Sequence, residues 1–359
     1  MSGGVDSSVC AYLLKQKGYE VIGVTLKTWS GDECRDEKSK GCCSLRDISD
    51  ARSVARQIGI PYYVMDLSAD FKQRVIDYFV REYLTGRTPN PCIECNNHIK
   101  FGILSDKARE LEAGLIATGH YARKGYDVVQ KRYFIREGKD LSKDQSYVLF
   151  GLDQTQLEKV MLPIGELDKK EVRRLAEKLG LRVFDKPDSQ EICFVPGRYA
   201  DFVKKHSPDK MPGAGNIILK DGRVLGRHEG SHSFTVGQRR RLKLNDTEHY
   251  FVSEVRAETN EIVVGVEQDL LAEEMTVRRV NWQNVPRLGG IQVKIRSRHL
   301  KTEAQIVEIN EEQVRVRFEV PQRAVAPGQA AVFYEGDRVL GGGWIHSAKA
   351  KIDSEVLTV

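Results

Sequence analysis

The chain has 359 residues, 40% of them hydrophobic and 30% charged, and a formal net charge of +5 at pH 7. That length suits two or three domains of roughly 100–200 residues, and the composition is that of an ordinary soluble protein. No apolar run approaches the roughly 20 residues that span a bilayer and no secretory leader is visible, so a cytoplasmic location is expected. There the seven cysteines stay reduced unless they do chemistry.

The first residues, "SGGVDSS" at 2–8, set two glycines and short polar residues ahead of an amphipathic stretch in which Val9 pairs with Leu13 and Cys10 with Leu14, and Gly18 supplies the stop. Glycines let a ligand approach the backbone. A turn feeding a helix start gathers unpaired N–H groups that suit a phosphate, although a tight turn with a good cap reads the same way. Strand-like "EVIGVTL" (20–26), helical "LRDISDARSVARQIGI" (45–60), strand-like "PYYVMDL" (61–67), a helix from about Phe71 to Leu84 and strand-like "GLIATGH" (114–120) follow in turn. This alternation predicts a parallel sheet covered by helices on both faces. Ligands of such sheets bind at the carboxyl ends of the strands, so the 2–7 turn, Leu26 with Lys27, and Gly119 with His120 are expected to line one crevice. Such a turn ordinarily follows a strand, and only Met1 precedes it; a further strand upstream of the assigned start is therefore expected.

"DKKEVRRLAEKLGL" (168–181) is helical in pattern. Past about Gly213 the composition shifts: "GNIILKDGRVLGRHEG" carries a DG hairpin signal, and from about Thr276 short strands of period two predict a small barrel or sandwich. Basic clusters fall in this second half, at 237–244, 276–280 and 293–301; they read as a solvated face or as a phosphate-binding surface. Among the cysteines, Cys10 shares a helix face with Leu14 and reads as packing, while Cys34, Cys42 and Cys43 precede the 45–60 helix without a fourth metal ligand. Cys92 and Cys95 form a C-x-x-C, a pattern shared by redox, zinc and iron–sulfur proteins, and Cys193 stands in "DSQEICFVPG".

Taken together, "SGGVDSS", "GRTPNPCIECNNHIKFG" (86–102), "IATGHYAR" (116–123), "KDQSYVLF" (143–150), "DSQEICFVPG" (188–197), "TVGQRR" (235–240), "APGQAAVFY" (326–334) and "LGGGWI" (340–345) resemble the bacterial tRNA-specific 2-thiouridylases. The first motif alone would say only a PP-loop ATP pyrophosphatase. The resemblance implies an α/β PP-loop catalytic domain at 1–205, a small β-rich central domain at 206–274 and a C-terminal β-barrel that contacts tRNA at 275–359. It also implies a sulfurtransferase that adenylates the C2 oxygen of the wobble uridine, then exchanges it for sulfur. No G-x-x-x-x-G-K-[ST] is present, so the lysine-bearing P-loop of γ-phosphate transfer is not expected.

By the same resemblance ATP would be bound by Met1, Ser2, Gly3, Gly4, Val5, Asp6, Ser7, Leu26 and Gly119, with Mg²⁺ on the pyrophosphate and no dedicated ligand legible beyond Asp6. Cys193 would carry persulfide sulfur from a carrier or desulfurase, and Cys95 would resolve it as a disulfide. The anticodon region would meet Asn90, Pro91, Cys92, His120, Lys143, Asp144, Gln145, Arg296 and Ser297. Three departures stand out. Cys92 replaces a residue that is Asp in many relatives and makes, with Cys95 and Cys193, a trio able to hold an iron–sulfur cluster. Ser297 replaces a frequent Tyr, and "GQRRRL" (237–242) replaces "GQRKGL". Two other readings fit parts of the pattern: a PP-loop ligase acting on a small substrate, which needs neither thiol, and a non-catalytic tRNA-binding protein.

Overall fold

The computed structural model describes residues 1–28, 45–188, 192–244, 248–286 and 289–350. Contacts divide the chain into one unit of 1–77, 91–196 and 337–339 and another of 78–90, 197–336 and 340–359. No helix among the described residues is long and apolar enough to cross a membrane.

In the first unit, helix α1 (Val5–Gln16) buries Val5, Val9, Cys10 and Leu14. These side chains share a core with Val54 of the Leu45–Ile58 helix and with Val172 and Ala176 of the Lys169–Lys178 helix. Gly18 closes α1 at φ +83°, and Tyr19 N donates to Leu14 O at 3.2 Å, the bond pattern of a glycine-terminated helix end. Strand β1 (Gly23–Lys27) pairs in parallel with β2 (Tyr62–Asp66) in a register running from Gly23↔Tyr62 to Lys27↔Asp66. Strand β3 (Ile116–Ala117) pairs in parallel with Val160–Met161. The Met1 amino group donates to Val24 O, and Thr25 Oγ1 donates to Met1 O at 2.5 Å, so the first residue lies along β1. The three expected strands are all present, the last cut to two residues because the chain leaves the sheet at Thr118 and brings Gly119 onto the glycine-rich loop.

Residues 68–84 are helical throughout, with a π-helical stretch at Lys72–Ile76, and the helix begun at Pro91–Glu94 continues as a second π-helical stretch, Cys95–Ile103. A hairpin, Ala122–Asp127 with Arg132–Glu137, is tied to the 337–339 segment: Arg123 and Arg136 both donate to Asp337 Oδ2, at 2.8 and 2.7 Å.

In the second unit, Gly215–Leu219 and Val224–His228 form the expected hairpin, turned at Gly222 with φ +90°. The first strand also pairs in parallel with Glu261–Gly265, which pairs antiparallel with Phe251–Arg256. The C-terminal strands form a barrel rather than a sandwich. Leu271–Trp282, Gln313–Arg323, Thr302–Ile309, Gly289–Lys294, Ala330–Glu335 and Arg338–Ala350 neighbour one another in that order, and pairing of the first with the last closes the ring. Alternate residues, among them Met275, Val277, Ile291, Val293, Val314, Val316 and Phe333, fill its interior.

Candidate nucleotide-binding and thiol site

The 2–8 turn is fixed by its own side chains. Ser2 N donates to Ser7 Oγ at 3.1 Å, and the Ser7 and Ser8 hydroxyls donate to Gly4 O at 3.2 and 2.8 Å. Gly3 holds φ +71°, and a Cβ there would lie 2.4 Å from Asp47 O, so only glycine fits. Gly4 caps α1 without a side chain to offer, so no capping side chain occupies the first-turn N–H groups, which lack an intrahelical partner and suit a phosphate. Gly119 closes the other side: a Cβ there would stand 2.8 Å from Asp6 C and 2.9 Å from Ser7 N. Leu26 sits on β1 opposite Met65, and Lys27, the next residue, pairs with Asp66 at 2.7 Å.

Beneath the turn lies a charged network that links distant segments. Tyr121 Oη donates to Asp6 Oδ1 at 2.7 Å, and Lys169 Nζ donates to Asp6 Oδ1 and Oδ2 at 2.7 and 2.9 Å. The same ammonium meets Asp188 Oδ1 at 2.7 Å and lies 5.5 Å from the Tyr121 ring centre, although Lys169 is only 8% exposed. Asp188 also meets Lys143 at 2.8 Å and Arg173 at 3.3 Å. Burial acts to raise the Asp188 carboxyl, but the hydrogen bonds from Lys143 and Lys169 outweigh it and hold the group below the usual carboxylate range. Burial and the Asp6 charge push the Tyr121 phenol far up, so it stays a donor. Lys186 Nζ donates to Gly3 O at 2.9 Å and meets Asp47 and Asp50 at 2.6 and 2.8 Å. Desolvation disfavours its charge, and the two carboxylates more than restore it.

Cys95 opens the π-helical Cys95–Ile103 stretch; π-helical turns recur at functional sites. Neither Cys95 nor Cys193 is in a disulfide, and both are half-buried. Cys193 and Phe194 are the central residues of a turn closed by Val195 N donating to Ile192 O at 3.1 Å. Phe194 lies edge-on to Phe71, ring centres 5.6 Å apart, and the helix carrying Phe71 packs on the one carrying Cys95. Both thiol segments therefore dock on one helix. Solvent reaches Cys92, yet enough protein surrounds it that desolvation raises its thiol, with Lys100 pulling the other way. Cys10 is buried and its thiol is raised to about 12 by desolvation, as befits packing. Cys34, Cys42 and Cys43 lie outside the described residues.

The expected tRNA-facing residues divide between the units. In the first, Pro91 and His120 are buried. His120 Nδ1 shares a 2.8 Å hydrogen bond with Thr118 Oγ1, and burial, reinforced by Lys100, lowers its pKa well below the usual value, so it is neutral at pH 7. Asp144 accepts from Gly138 N and Ser146 N, and Gln145 Oε1 accepts from Tyr121 N at 3.0 Å while Gln145 N donates to Tyr121 O at 2.9 Å. Both side chains brace the site from within, and Lys143 does so through Asp188. In the second unit Asn90 is half-buried, and the preceding residues are held by Gln329 Nε2 donating to Thr88 O and Pro89 O at 3.3 and 3.2 Å. Arg296 Nη2 donates to Val236 O and Ala324 O at 3.2 and 3.0 Å, whereas Ser297 is exposed in a turn. Sequence reasoning missed Lys169, Lys186, Asp188 and Tyr121 as site members. Asp188 and Tyr121 lie inside quoted motifs, but nothing local marks either lysine.

Three domain families match the chain: the tRNA methyl transferase HUP domain at residues 1–197, the tRNA methyl transferase PRC-barrel domain at 200–266 and the Aminomethyltransferase beta-barrel domain at 272–345. These define a PP-loop, ATP-utilising α/β domain followed by two β modules. Over 350 residues the chain is 46% identical to the tRNA-specific 2-thiouridylase MnmA of Lachnoclostridium phytofermentans, covering 96% of this chain and 98% of that one. It is 45% identical to the protein of the same name from Clostridioides difficile, covering 97% of each. The chain belongs to the tRNA-specific 2-thiouridylase family. A U34-tRNA thiolase, NcsA, of Methanococcus maripaludis, solved with its 4Fe–4S cluster, aligns over 58% of this chain and 65% of that one at 21% identity and a TM-score of 0.34, too slight a likeness to carry an argument.

The turn and helix start fit an ATP polyphosphate, and Mg²⁺ bound to phosphate oxygens needs few protein ligands. An iron–sulfur cluster fits less well: among the described residues no three His, Cys, Asp or Glu side chains are grouped to hold a metal ion, so Cys92, Cys95 and Cys193 form no such cradle in this arrangement.

Proposed function

We infer that this protein is a tRNA-uridine 2-sulfurtransferase that uses ATP to replace O2 of the wobble uridine with sulfur, releasing AMP and pyrophosphate. The observation that carries this is identity of 46% across 96% of the chain to a tRNA-specific 2-thiouridylase. A uracil carbonyl oxygen is a poor leaving group, and joining it to the α-phosphate of ATP makes AMP the leaving group. Bound Mg²⁺ would neutralise charge on the departing pyrophosphate. The 2–8 turn holds the phosphates through its amides and hydroxyls, and Gly119 allows the chain to lie against it.

In this reading Cys193 carries a persulfide supplied by a separate sulfur-donor protein. Its terminal sulfur attacks C2, AMP leaves, and the base is joined to Cys193 through a disulfide. The Cys95 thiolate then attacks Cys193 Sγ. The S–S bond to the base breaks, the base keeps its sulfur as 2-thiouridine, and a Cys95–Cys193 disulfide remains for an external thiol to reduce. Docking of both thiol segments on the helix that carries Phe71 supports the pairing. The neutral, buried His120 suits contact with an uncharged base turned out of its stack. Residues 1–205 are assigned the chemistry, 206–274 the link and 275–359 contact with tRNA, and the work is cytoplasmic. No step runs through a cluster.

Purified protein given ATP, Mg²⁺, a persulfide donor and unmodified tRNA should form 2-thiouridine and AMP in equal amounts. Cys193→Ser and Cys95→Ser should each lose at least a hundredfold in rate. Undiminished product in Cys193→Ser overturns the sulfur relay. AMP release without tRNA thiolation would instead favour a ligase, and tRNA binding without AMP a non-catalytic protein.

A further inference from the structure

Residues 186 and 188, shortly ahead of Cys193 in the chain, are bound to the nucleotide loop at two points, each through a lysine. Lys186 Nζ donates to Gly3 O at 2.9 Å. Lys169 Nζ holds Asp6, in the first turn of α1, and Asp188, five residues ahead of Cys193, each at 2.7 Å. The second contact differs from an ordinary ion pair. One buried ammonium balances two carboxylates from segments far apart in sequence, and removing either leaves charge buried with less compensation. The segment is also fastened to the helix that Lys169 begins. Arg173 donates to Phe184 O and Lys186 O, both at 3.1 Å, and to Asp188 at 3.3 Å. A capping box of Asp168 with Glu171 fixes that helix start.

A triphosphate arriving at the 2–8 turn brings several negative charges beside Asp6, and they compete with Asp6 and Asp188 for the same ammonium. We propose that Lys169 is a positioning residue that couples occupancy of the nucleotide loop to the placement of Cys193. Without nucleotide, Lys169 draws Asp188 toward the loop. With nucleotide, the ammonium turns toward phosphate, its hold on Asp188 weakens, and Cys193 becomes more accessible. Sulfur is thereby presented only where nucleotide is already bound. The inference rests on the reading that ATP binds the 2–8 turn and Cys193 carries the sulfur.

The test needs neither tRNA nor a sulfur donor. The rate at which iodoacetamide alkylates Cys193 in the full chain is followed by peptide mass spectrometry, with and without saturating Mg²⁺ and α,β-methylene-ATP; binding of the analogue is read separately from the rise in melting temperature. In the wild type the analogue should raise the Cys193 rate at least threefold. In Lys169→Met the rate should be the same with and without bound analogue, and Lys169→Arg should restore most of the wild-type ratio. Asp188→Asn, which loosens the other end, should bring the nucleotide-free rate to within twofold of the wild-type nucleotide-bound rate. If Lys169→Met does not fold, Asp188→Asn decides alone. Bound analogue that leaves the wild-type Cys193 rate unchanged overturns the coupling, as does a wild-type ratio in Lys169→Met or an unchanged nucleotide-free rate in Asp188→Asn. A wild-type protein that binds no analogue overturns the ATP reading together with it.

Discussion

Gly119 is pressed against the peptide joining Asp6 to Ser7, and neither side can retreat without moving the turn. In Gly119→Ala the new methyl should raise KM for ATP about tenfold, a loss of roughly 1.4 kcal/mol, with an overpacking cost of about 1–3 kcal/mol in stability; ATP titration and urea unfolding measure the two. His120 carries a pH signature. Its folded pKa lies below the unfolded value of about 6.5, so the unfolded chain takes up the proton first. Stability is therefore fully present above that value and falls as pH drops from 7 toward 5, by at most about 1.4 kcal/mol per pH unit for one proton. His120→Gln should flatten the slope in urea unfolding across that range, although His228 and His232, also lowered by burial, keep part of it. Gly119 and His120 were legible because a strand pattern ends on them. Lys169 was not: it reads as one more lysine at a helix start, and its meaning comes from a partner 163 residues away.

Elements governed by local rules matched their sequence signals. The Lys169–Lys178 helix follows apolar spacing behind an Asp168 cap, with Glu171 completing the box. Asp168→Ala should lower stability by about 1 kcal/mol, seen as an earlier midpoint in urea. Because Lys169 is the next residue, ATP-dependent thiolation should fall more than that loss of stability explains. The DG hairpin and the glycine stop of α1 were equally readable, since each needs only a few neighbouring residues. The π-helical Cys95–Ile103 stretch was not, because its wider turns answer to packing on other elements, and residue order signals no such thing. The same is true of the parallel pairing of Gly215–Leu219 with Glu261–Gly265.

At the scale of the molecule, the +5 charge matters less than which cations are already partnered. On the barrel Arg315 pairs with Glu308 at 3.0 Å and Arg317 with Glu274 at 2.7 Å. Arg239, Arg240 and Arg241 are exposed in the second unit, on the stretch that departs from the family pattern. Arg239 meets the His249 ring at 3.1 Å, and none of the three forms an ion pair with an acidic side chain among the described residues. Replacing all three by Ala should reduce the slope of log affinity for tRNA against log salt by about 2–3, since each phosphate contact contributes about 0.7–0.9; filter binding across a salt series measures it. Strand count and alternation foretold a barrel or sandwich, but only long-range pairing decides between them, as where Thr276 meets Ser347. That seam also orders events during synthesis. The ring joins its earliest strand to its latest, so a growing chain on the ribosome cannot close it until the final strand has emerged. Closure therefore proceeds at the slow pace of non-local pairing, and the earliest strand waits for its last neighbour until then.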